Sequence, residues 1–376
     1  VYTHTSRGVA VALIADRIGD AALAHWTAPE IVIALEDALR LWNLATCHER
    51  AEGVVRLQPG VAFYELATTL LDAGGVLLRP RTVTDSDLAA GLRYLLAETA
   101  ATDQFATAQL RSALQLARDG LVAETGAIVT AAVLPVDAAT AGVVDLPEQT
   151  IAVRRAAWHG SDGRITALSA ADVVSAAAFH RNASARGTPR TFLTSSTPQL
   201  QLQLSPAPSQ SGTLELHTLA AGAAFDPTGA TATLLGIPDD LSPLVKFRAT
   251  ALVMRDSESF DERRAAVMDE MWRLGLEIAK AAEVVFSVAI DGVRRVPAAI
   301  AQTDRAAKLW QSARPGRPRI LSIVGPDMIA VTPVPDDRPH AAALTVNRAT
   351  SLPQTDNDYL QIGSEHLSAV LGMAQW

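Results

Sequence analysis

Apolar positions in the first 125 residues recur mostly at helical spacing. Ser6 to Ile18 carries Val9, Leu13, Ile14 and Ile18 on a 3–4 repeat, which predicts a helix. In Trp26-Thr27-Ala28-Pro29-Glu30-Ile31, Thr27 can cap a second helix while Glu30 reaches back to it. Pro29 sits in the first turn, where a missing N–H costs nothing, and Trp26 and Ile31 are spaced for a hydrophobic staple. This helix is expected to reach about Ala45, with Ile33, Leu35, Leu39 and Leu41 apolar. Thr84, with Asp87 three residues on, starts another helix that should continue to about Ala97. A fourth should span Thr107 to Glu124 on Leu110, Leu114, Leu116 and Leu121. A fifth should span Ser259 to Val284, with a stripe of Val267, Met271, Leu274 and Ile278.

Two regions break this rhythm. Val54 to Leu66 reads as extended chain around the turn signal Gln58-Pro59-Gly60, and a short β-hairpin is expected there. From Ala127 to Ala157, Val/Ile/Leu-rich runs broken by Pro135, Gly142 and Pro147 predict strands.

The second half contains an internal repeat. Asp162-Gly163, Gly187-Thr188-Pro189-Arg190, Leu204-Ser205-Pro206-Ala207-Pro208 and Leu214-Glu215-Leu216 form one copy. Asp291-Gly292, Gly316-Arg317-Pro318-Arg319, Val331-Thr332-Pro333-Val334-Pro335 and Leu344-Thr345-Val346 form the other, at offsets of 129, 129, 127 and 130. Leu241-Ser242 and Leu367-Ser368, offset by 126, lie in a helix-like stretch that closes each copy. Such a steady offset marks a duplicated unit. Within each copy a strand should turn at Asp-Gly, a polar stretch should carry an aromatic (Phe179; Trp310), and Gly-x-Pro should set a bend. Gln199 to Leu204 alternates strictly, as a half-buried strand does, and Pro-x-Pro should end that strand.

The expected fold class is therefore α+β: a discontinuous helical bundle with two related inserted β-modules. The expected divisions are a mainly helical domain with a short hairpin (1–126), a first β-module (127–235), helices rejoining the body (236–285), a second β-module (286–358) and a C-terminal helix (359–376). The chain stops at Trp376 inside a helical pattern, which leaves open whether the native sequence continues.

Composition narrows the function. The 376 residues are 49% hydrophobic but only 5% aromatic, so the core must come largely from small side chains. The net charge is −8 and no Lys/Arg-rich run occurs, unlike a protein that grips nucleic acid by neutralising phosphates. An acidic wall can nonetheless lie beside DNA without adhering to it. The single cysteine, Cys47, excludes an intrachain disulfide and a multi-cysteine zinc site, and points to synthesis in a reducing cytoplasm. Val1 to Asp20 lacks the basic-then-apolar order of a signal peptide. No apolar run approaches the ~18 residues of a membrane span, so a soluble protein without a membrane partner is expected.

Candidate chemistry is sparse. Cys47-His48-Glu49 places three ligand types in a row, but adjacent side chains do not converge on one ion. The eight histidines (His4, His25, His48, His159, His180, His217, His340 and His366) form no His-x-x-x-His pair and read as exposed or capping residues. Asp239-Asp240 and Asp336-Asp337 could serve acid–base or metal chemistry, yet the first pair precedes a helix and the second follows Pro333-Val334-Pro335 in a turn. Ala73-Gly74-Gly75-Val76 lacks the features of a phosphate loop, and no Gly-x-Ser-x-Gly elbow is present. Tyr64, Trp158 and Trp310 read as core packing, with sugar stacking the alternative. The expectation is a non-enzyme with no catalytic residues, no cofactor and no metal. A tail-fibre, baseplate or carbohydrate-binding module is the alternative function, and a hydrolase assembled from Asp239, Asp240 and distant histidines is a third.

The order of motifs resembles the neck proteins of tailed bacteriophages, the connector or adaptor subunits below the portal. The resemblance rests on Ile14-Ala15-Asp16-Arg17-Ile18-Gly19-Asp20, Glu36-Asp37-Ala38-Leu39-Arg40-Leu41-Trp42 after Trp26-Thr27, Phe63-Tyr64-Glu65-Leu66 and Thr84-Asp85-Ser86-Asp87-Leu88. It continues through Gly187-Thr188-Pro189, Leu204 to Pro208, Gly236-Ile237-Pro238-Asp239 and Tyr359-Leu360-Gln361-Ile362-Gly363. It implies a virion protein at the head–tail interface that forms a homo-oligomeric, twelve-fold ring. Its partners would be the portal protein, tail or other neck proteins, and DNA passing without sequence-specific contact. The resemblance carries over no catalytic residue. The doubled β-module exceeds a minimal helical adaptor.

Overall fold

The structure, a computed structural model, describes residues 4–96, 104–140, 142–162, 165–171, 185–194, 201–256, 261–282, 284–300, 303 and 315–375. Phe179, Trp310, Gln199, Leu200, Gly163, His180, Ala97, Ser259 and Trp376 lie outside the described residues.

Eight helices are described: α1 (Arg7–Arg17), α2 (Ala28–Thr46), α3 (Leu66–Thr69), α4 (Asp85–Leu95), α5 (Thr107–Thr125), α6 (Ser242–Arg255), α7 (Glu262–Ala281) and α8 (Ser364–Ala374). Their starts follow the expected caps. Ser6 accepts from the Val9 N–H ahead of α1. Thr27 with Glu30 and Thr84 with Asp87 form reciprocal capping boxes on α2 and α4. Gly126, left-handed at φ +70°, ends α5.

The buried faces are rotated from the expected stripes. On α1 the core residues are Ala10, Val11, Ile14 and Ala15, while Val9 and Leu13 are exposed. On α7 the buried residues are Ala265, Met268, Gly275 and Leu276, and Val267 and Leu274 stay exposed. Close approach is the cause. A Cβ on Gly275 would lie 2.0 Å from Leu244 Cδ2 of α6, so any larger residue would force the Leu244 side chain to move.

Four hydrophobic cores result. One joins α4, α5, α6 and α7. A second joins α1, α2 and α8. The other two lie inside the β-modules. The α+β class is as expected.

Module A comprises β3 (Val129–Val136), β4 (Val143–Asp145), β5 (Thr150–Gly160), β6 (Ile165–Ala170), β7 (Arg186–Gly187), β8 (Thr191–Thr194), β9 (Gln201–Ser205), β10 (Ala207–Pro208) and β11 (Gly212–Ala220). Seven of these form a near-closed sheet ordered β3-β11-β5-β6-β8-β9-β4. In β9, Leu202 and Leu204 face inward, as alternation requires.

Module B uses β1 (Arg50–Leu57), β2 (Phe63–Glu65), β12 (Val285–Ile290), β13 (Val293–Arg295), β14 (Ala298–Ala299), β15 (Ile320–Gly325), β16 (Met328–Thr332) and β17 (His340–Asn347). Its strands make two sheets, β1-β17-β12-β13 and β14-β15-β16-β2.

The expected hairpin at 54–66 is corrected here. β1 pairs with β17 and β2 with β16; neither pairs with the other. The turn is real, with Val61 N–H donating to the Gln58 carbonyl. Buried Tyr64 then braces the corner, its hydroxyl bonded to Gln58 and Val61. The two strands therefore diverge into separate sheets, where distant partners satisfy their ladders.

The same plan opens module A, where β3 lies beside β11 and β4 beside β9. β1 and β2 are thus the missing start of module B. Module A, with helices on both flanks, is nested between the second and third strands of module B.

Finer details repeat as well. Gly187 pairs in parallel with Pro208, and Gly316 with Pro335. Arg190 N–H donates to the Ser205 carbonyl and Arg319 N–H to the Thr332 carbonyl. Ser205-Pro206 and Thr332-Pro333 are both cis. Asp291 and Gly292, both at positive φ, make the tight β12–β13 turn.

Candidate interaction surfaces and ionic clusters

An apolar groove of about 320 Å³ opens where α1, α2, α4, α6, α7 and the end of α8 meet. Ile14, Ile18, Trp26, Ile31, Ile33 and Met268 form much of its wall. Trp26 remains 41% exposed over this groove while Ile31 is buried. At its floor Lys246 pairs with Asp37, both largely buried. Gly91 of α4 makes room for the lysine stem, which lies 3.1 Å from where a Cβ would stand. Asp37 Oδ1 has no hydrogen-bond partner, and Arg40 approaches it only to 3.6 Å. A wider cleft of about 760 Å³, bordered by Arg79, Arg154, Asp240 and Lys280, separates the end of α7 from module B.

The residues singled out by sequence are placed apart. Cys47 ends α2 in a left-handed conformation. His48 Nε2 meets the Gln361 carbonyl at 2.9 Å, and Glu49 binds Arg348 and the Ser351 N–H. The three neighbours diverge, as adjacent positions must. Asp239 accepts from the Thr82 and Val83 N–H groups and the Thr82 hydroxyl. Asp240 is buried, and burial pushes its carboxyl up against the opposing hydrogen bonds of Thr350 and Asn43. Both oxygens are taken, by Thr350 and Asn43, so this acid ties α2 to the chain after β17. Among the described residues, no group of three or more His, Cys, Asp or Glu could hold a metal ion.

Two histidines depart from the exposed or capping role expected of them. His217 and His340 are buried, because each is an inward strand residue with carboxylate partners. Glu215 meets His159 Nε2 at 2.9 Å and His217 Nε2 at 3.1 Å, with Arg155 at 3.5 Å. Burial raises the Glu215 carboxyl, but these hydrogen bonds and charges overcome it and hold the group far below its usual range. His217 also packs edge-on against Phe63, 4.3 Å between centroids, which joins module A to module B. Glu215 and His217, two apart on β11, share a face by strand alternation, and the β5–β11 register brings His159 and Arg155 to them.

His340 is clamped from both sides. Its Nδ1 lies 2.8 Å from Asp291 Oδ2 and its Nε2 lies 2.9 Å from Asp336 Oδ1. An ionised carboxylate can only accept, so with both acids ionised this arrangement favours the protonated imidazole, in which both ring nitrogens donate. Arg317 also reaches Asp291, at 3.2 Å. Burial lowers the His340 pKa, yet the hydrogen bonds and charges of Asp291 and Asp336 prevail and raise it. Asp291 and Asp336 are both lowered: burial opposes the change at Asp291, where the Ala341 N–H and His340 prevail, and the Arg338 N–H and His340 act on Asp336.

The clasp therefore stabilises most strongly between two limits. The histidine contribution is complete below its unfolded value of about 6.5 and is lost as pH rises through the higher folded value. The aspartate contributions hold above their unfolded value and disappear as pH falls through the depressed folded ones. The amide protection factors of residues 291, 336 and 340, with the intrinsic base-catalysed rate divided out, should be highest at mildly acidic pH and fall toward alkaline pH. In His340→Gln that alkaline fall in protection should vanish; its persistence would assign it elsewhere.

Two β-modules are carried on a helical body, and most of the ionisable groups described above are engaged in internal ties. Residues 86–285, more than half of the chain, match the family model described as SU10 adaptor protein. The chain belongs to that family and is a phage structural adaptor protein, associated with the virion. The matched segment runs from α4 through module A to the start of β12. No curated protein matches the chain.

Proposed function

We propose that this adaptor is the subunit of a homo-oligomeric neck ring that joins the portal to the tail and surrounds the DNA channel. The observation that carries the reading is the apolar surface left open on the helical body. The groove walled by Ile18, Trp26 and Ile31 and the outer face of α7, with Val267 and Leu274, are apolar surface that a neighbouring chain could cover. A net charge of −8 suits a wall past which DNA must slide. A ring matched to the twelve-fold portal, with the two β-modules meeting tail or other neck proteins, accounts for both features.

Native mass spectrometry of the protein with its portal is expected to show rings. Glutamate at Val267 and Leu274 should abolish them while circular dichroism stays unchanged, since neither side chain is buried. A protein that stays monomeric at micromolar concentration with portal present would overturn the reading.

A further inference from the structure

Arg154 and Arg155 of β5 border the same recess, and a shift of register puts them there. Along the β5–β11 ladder His217 pairs with Arg155 and Thr218 with Val153, so Arg154 is an extra, bulged residue. In an unbroken strand two neighbours point to opposite faces. A bulge re-aims one of them. Arg154, Arg155 and His217 therefore line one recess of about 360 Å³ between module A and the β15–β16 turn of module B. β12, which answers β5 in module B, bulges at Phe286 and carries Val284 and Val285 before it, so such a module can be built without arginine there.

The three side chains differ in what holds them. Arg155 lies 3.5 Å from Glu215. Arg154 is exposed, and among the described residues no carboxylate pairs with it. Its guanidinium rests against the C-terminal end of α5, with Nη2 3.3 Å from where a Cβ of Gly126 would stand. That helix end favours a cation but supplies only partial charge. Glu124, an acid on the adjoining cleft, is taken by Lys280. His217 is 1% exposed; its Nε2 meets Glu215, and its Nδ1 has no hydrogen-bond partner. A buried ring nitrogen left unmatched costs free energy that a suitable ligand recovers. Ile300, Val324 and Pro326 add apolar wall.

We propose that this recess binds a carboxylate on an apolar stem, a glutamate side chain presented by a neighbouring protein. Arginine's planar fork matches a carboxylate with two parallel hydrogen bonds. With the acid seated, a protonated His217 would donate from both nitrogens, to Glu215 and to the ligand. Two guanidinium groups and the imidazolium then face two carboxylates, so the site tolerates the added negative charge. The apolar wall takes up the stem, which a backbone phosphate of DNA lacks. This inference does not depend on whether the chain forms a ring.

The test uses the full chain labelled with ¹⁵N-arginine at mildly acidic pH. The Arg154 and Arg155 Nε–H resonances are assigned by their absence from Arg154→Gln and Arg155→Lys. The probe is N-acetylglutamic acid α-amide, with N-acetylglutamine amide as its uncharged counterpart and a short DNA duplex in parallel. A saturable shift of Arg154 and Arg155 on one curve is expected with the glutamate probe, and binding about tenfold weaker with the glutamine one. In Arg154→Gln, whose exposed position leaves the fold and its circular dichroism unchanged, Arg155 should cease to respond. No saturable shift in the native chain, an equal response to the two amides, or an undiminished Arg155 response in Arg154→Gln would overturn the proposal. A response to the duplex but to neither amide would overturn it in favour of a nucleic-acid contact.

Discussion

Asp85→Ala is expected to lower stability by about 3–5 kcal/mol, the loss typical of removing one partner from a buried ion pair. Asp85 is fully buried at the first position of α4, and its Oδ2 lies 2.5 Å from Arg111 of α5. The other oxygen accepts from Thr233 N–H at 2.8 Å, while the Asp85 N–H donates to the Thr233 carbonyl. One side chain thus fastens two helices and the long segment that leads from module A into α6. Without it, Arg111 keeps the carbonyls of Asp226 and Thr231 but holds an uncompensated charge with almost no exposure. Urea unfolding followed by circular dichroism gives the magnitude. Amide exchange should show the loss first in α4 and α5. The double change Asp85→Ala with Arg111→Leu should recover much of the loss, since the stranded charge goes with it. A shift under 1 kcal/mol, or no recovery, would show that the pair contributes little.

Helix starts were legible because their signals are local. Thr27 with Glu30 and Thr84 with Asp87 need only four residues to state their chemistry, and both boxes form. The repeat was legible for a related reason: Gly-x-Pro and Pro-x-Pro mark backbone shape, which a duplicated fold must preserve. Its extent was not. The first two strands of module B stand over 200 residues before the rest, at Arg50–Leu57 and Phe63–Glu65, and share no landmark motif with β3 and β4. Strand pairing is a non-local choice, and a run such as Val54 to Leu57 does not announce its partner.

Leu35 and Leu39 on α2 and Leu110, Leu114 and Leu121 on α5 are buried where spacing places them, but on α1 and α7 several large apolar side chains do not point inward. In an alanine-rich chain, small residues let backbones approach and so become the buried face. Ala10 and Ala15 on α1 and Ala265 and Gly275 on α7 are the cases. Large residues such as Leu13 and Leu274 are then displaced to the surface. The Glu215 and His340 clusters escaped for the other reason. Each gathers residues from separate strands or turns, and each becomes a cluster only when the register is known.

Asp327→Ala should cost module B about as much, some 3–5 kcal/mol by the same reasoning, but in a different place. In module B the strands form two sheets, where module A joins the equivalent strands through the β6–β8 pair. Pro297 interrupts the run between β13 and β14, and a proline cannot donate to a ladder. The two sheets must be tied by other means, and Asp327 in the β15–β16 turn is one such tie. Its Oδ1 accepts from Arg79 Nε at 2.6 Å, and its Oδ2 meets Arg81 at 3.3 Å. Arg79 also donates to the carbonyl of Asn347 at the end of β17, in the other sheet. A single buried guanidinium therefore spans both sheets, and the aspartate is its counter-charge. Removing the acid strands Arg79 in a site where it is 8% exposed. Amide exchange should rise in β15, β16 and β2 and leave module A unchanged, because module A's continuous sheet does not rely on this contact. Asp327→Asn, which keeps the shape and drops the charge, should fall between the two. Protection lost evenly across both modules would show that the sheets of module B are not held together at this point.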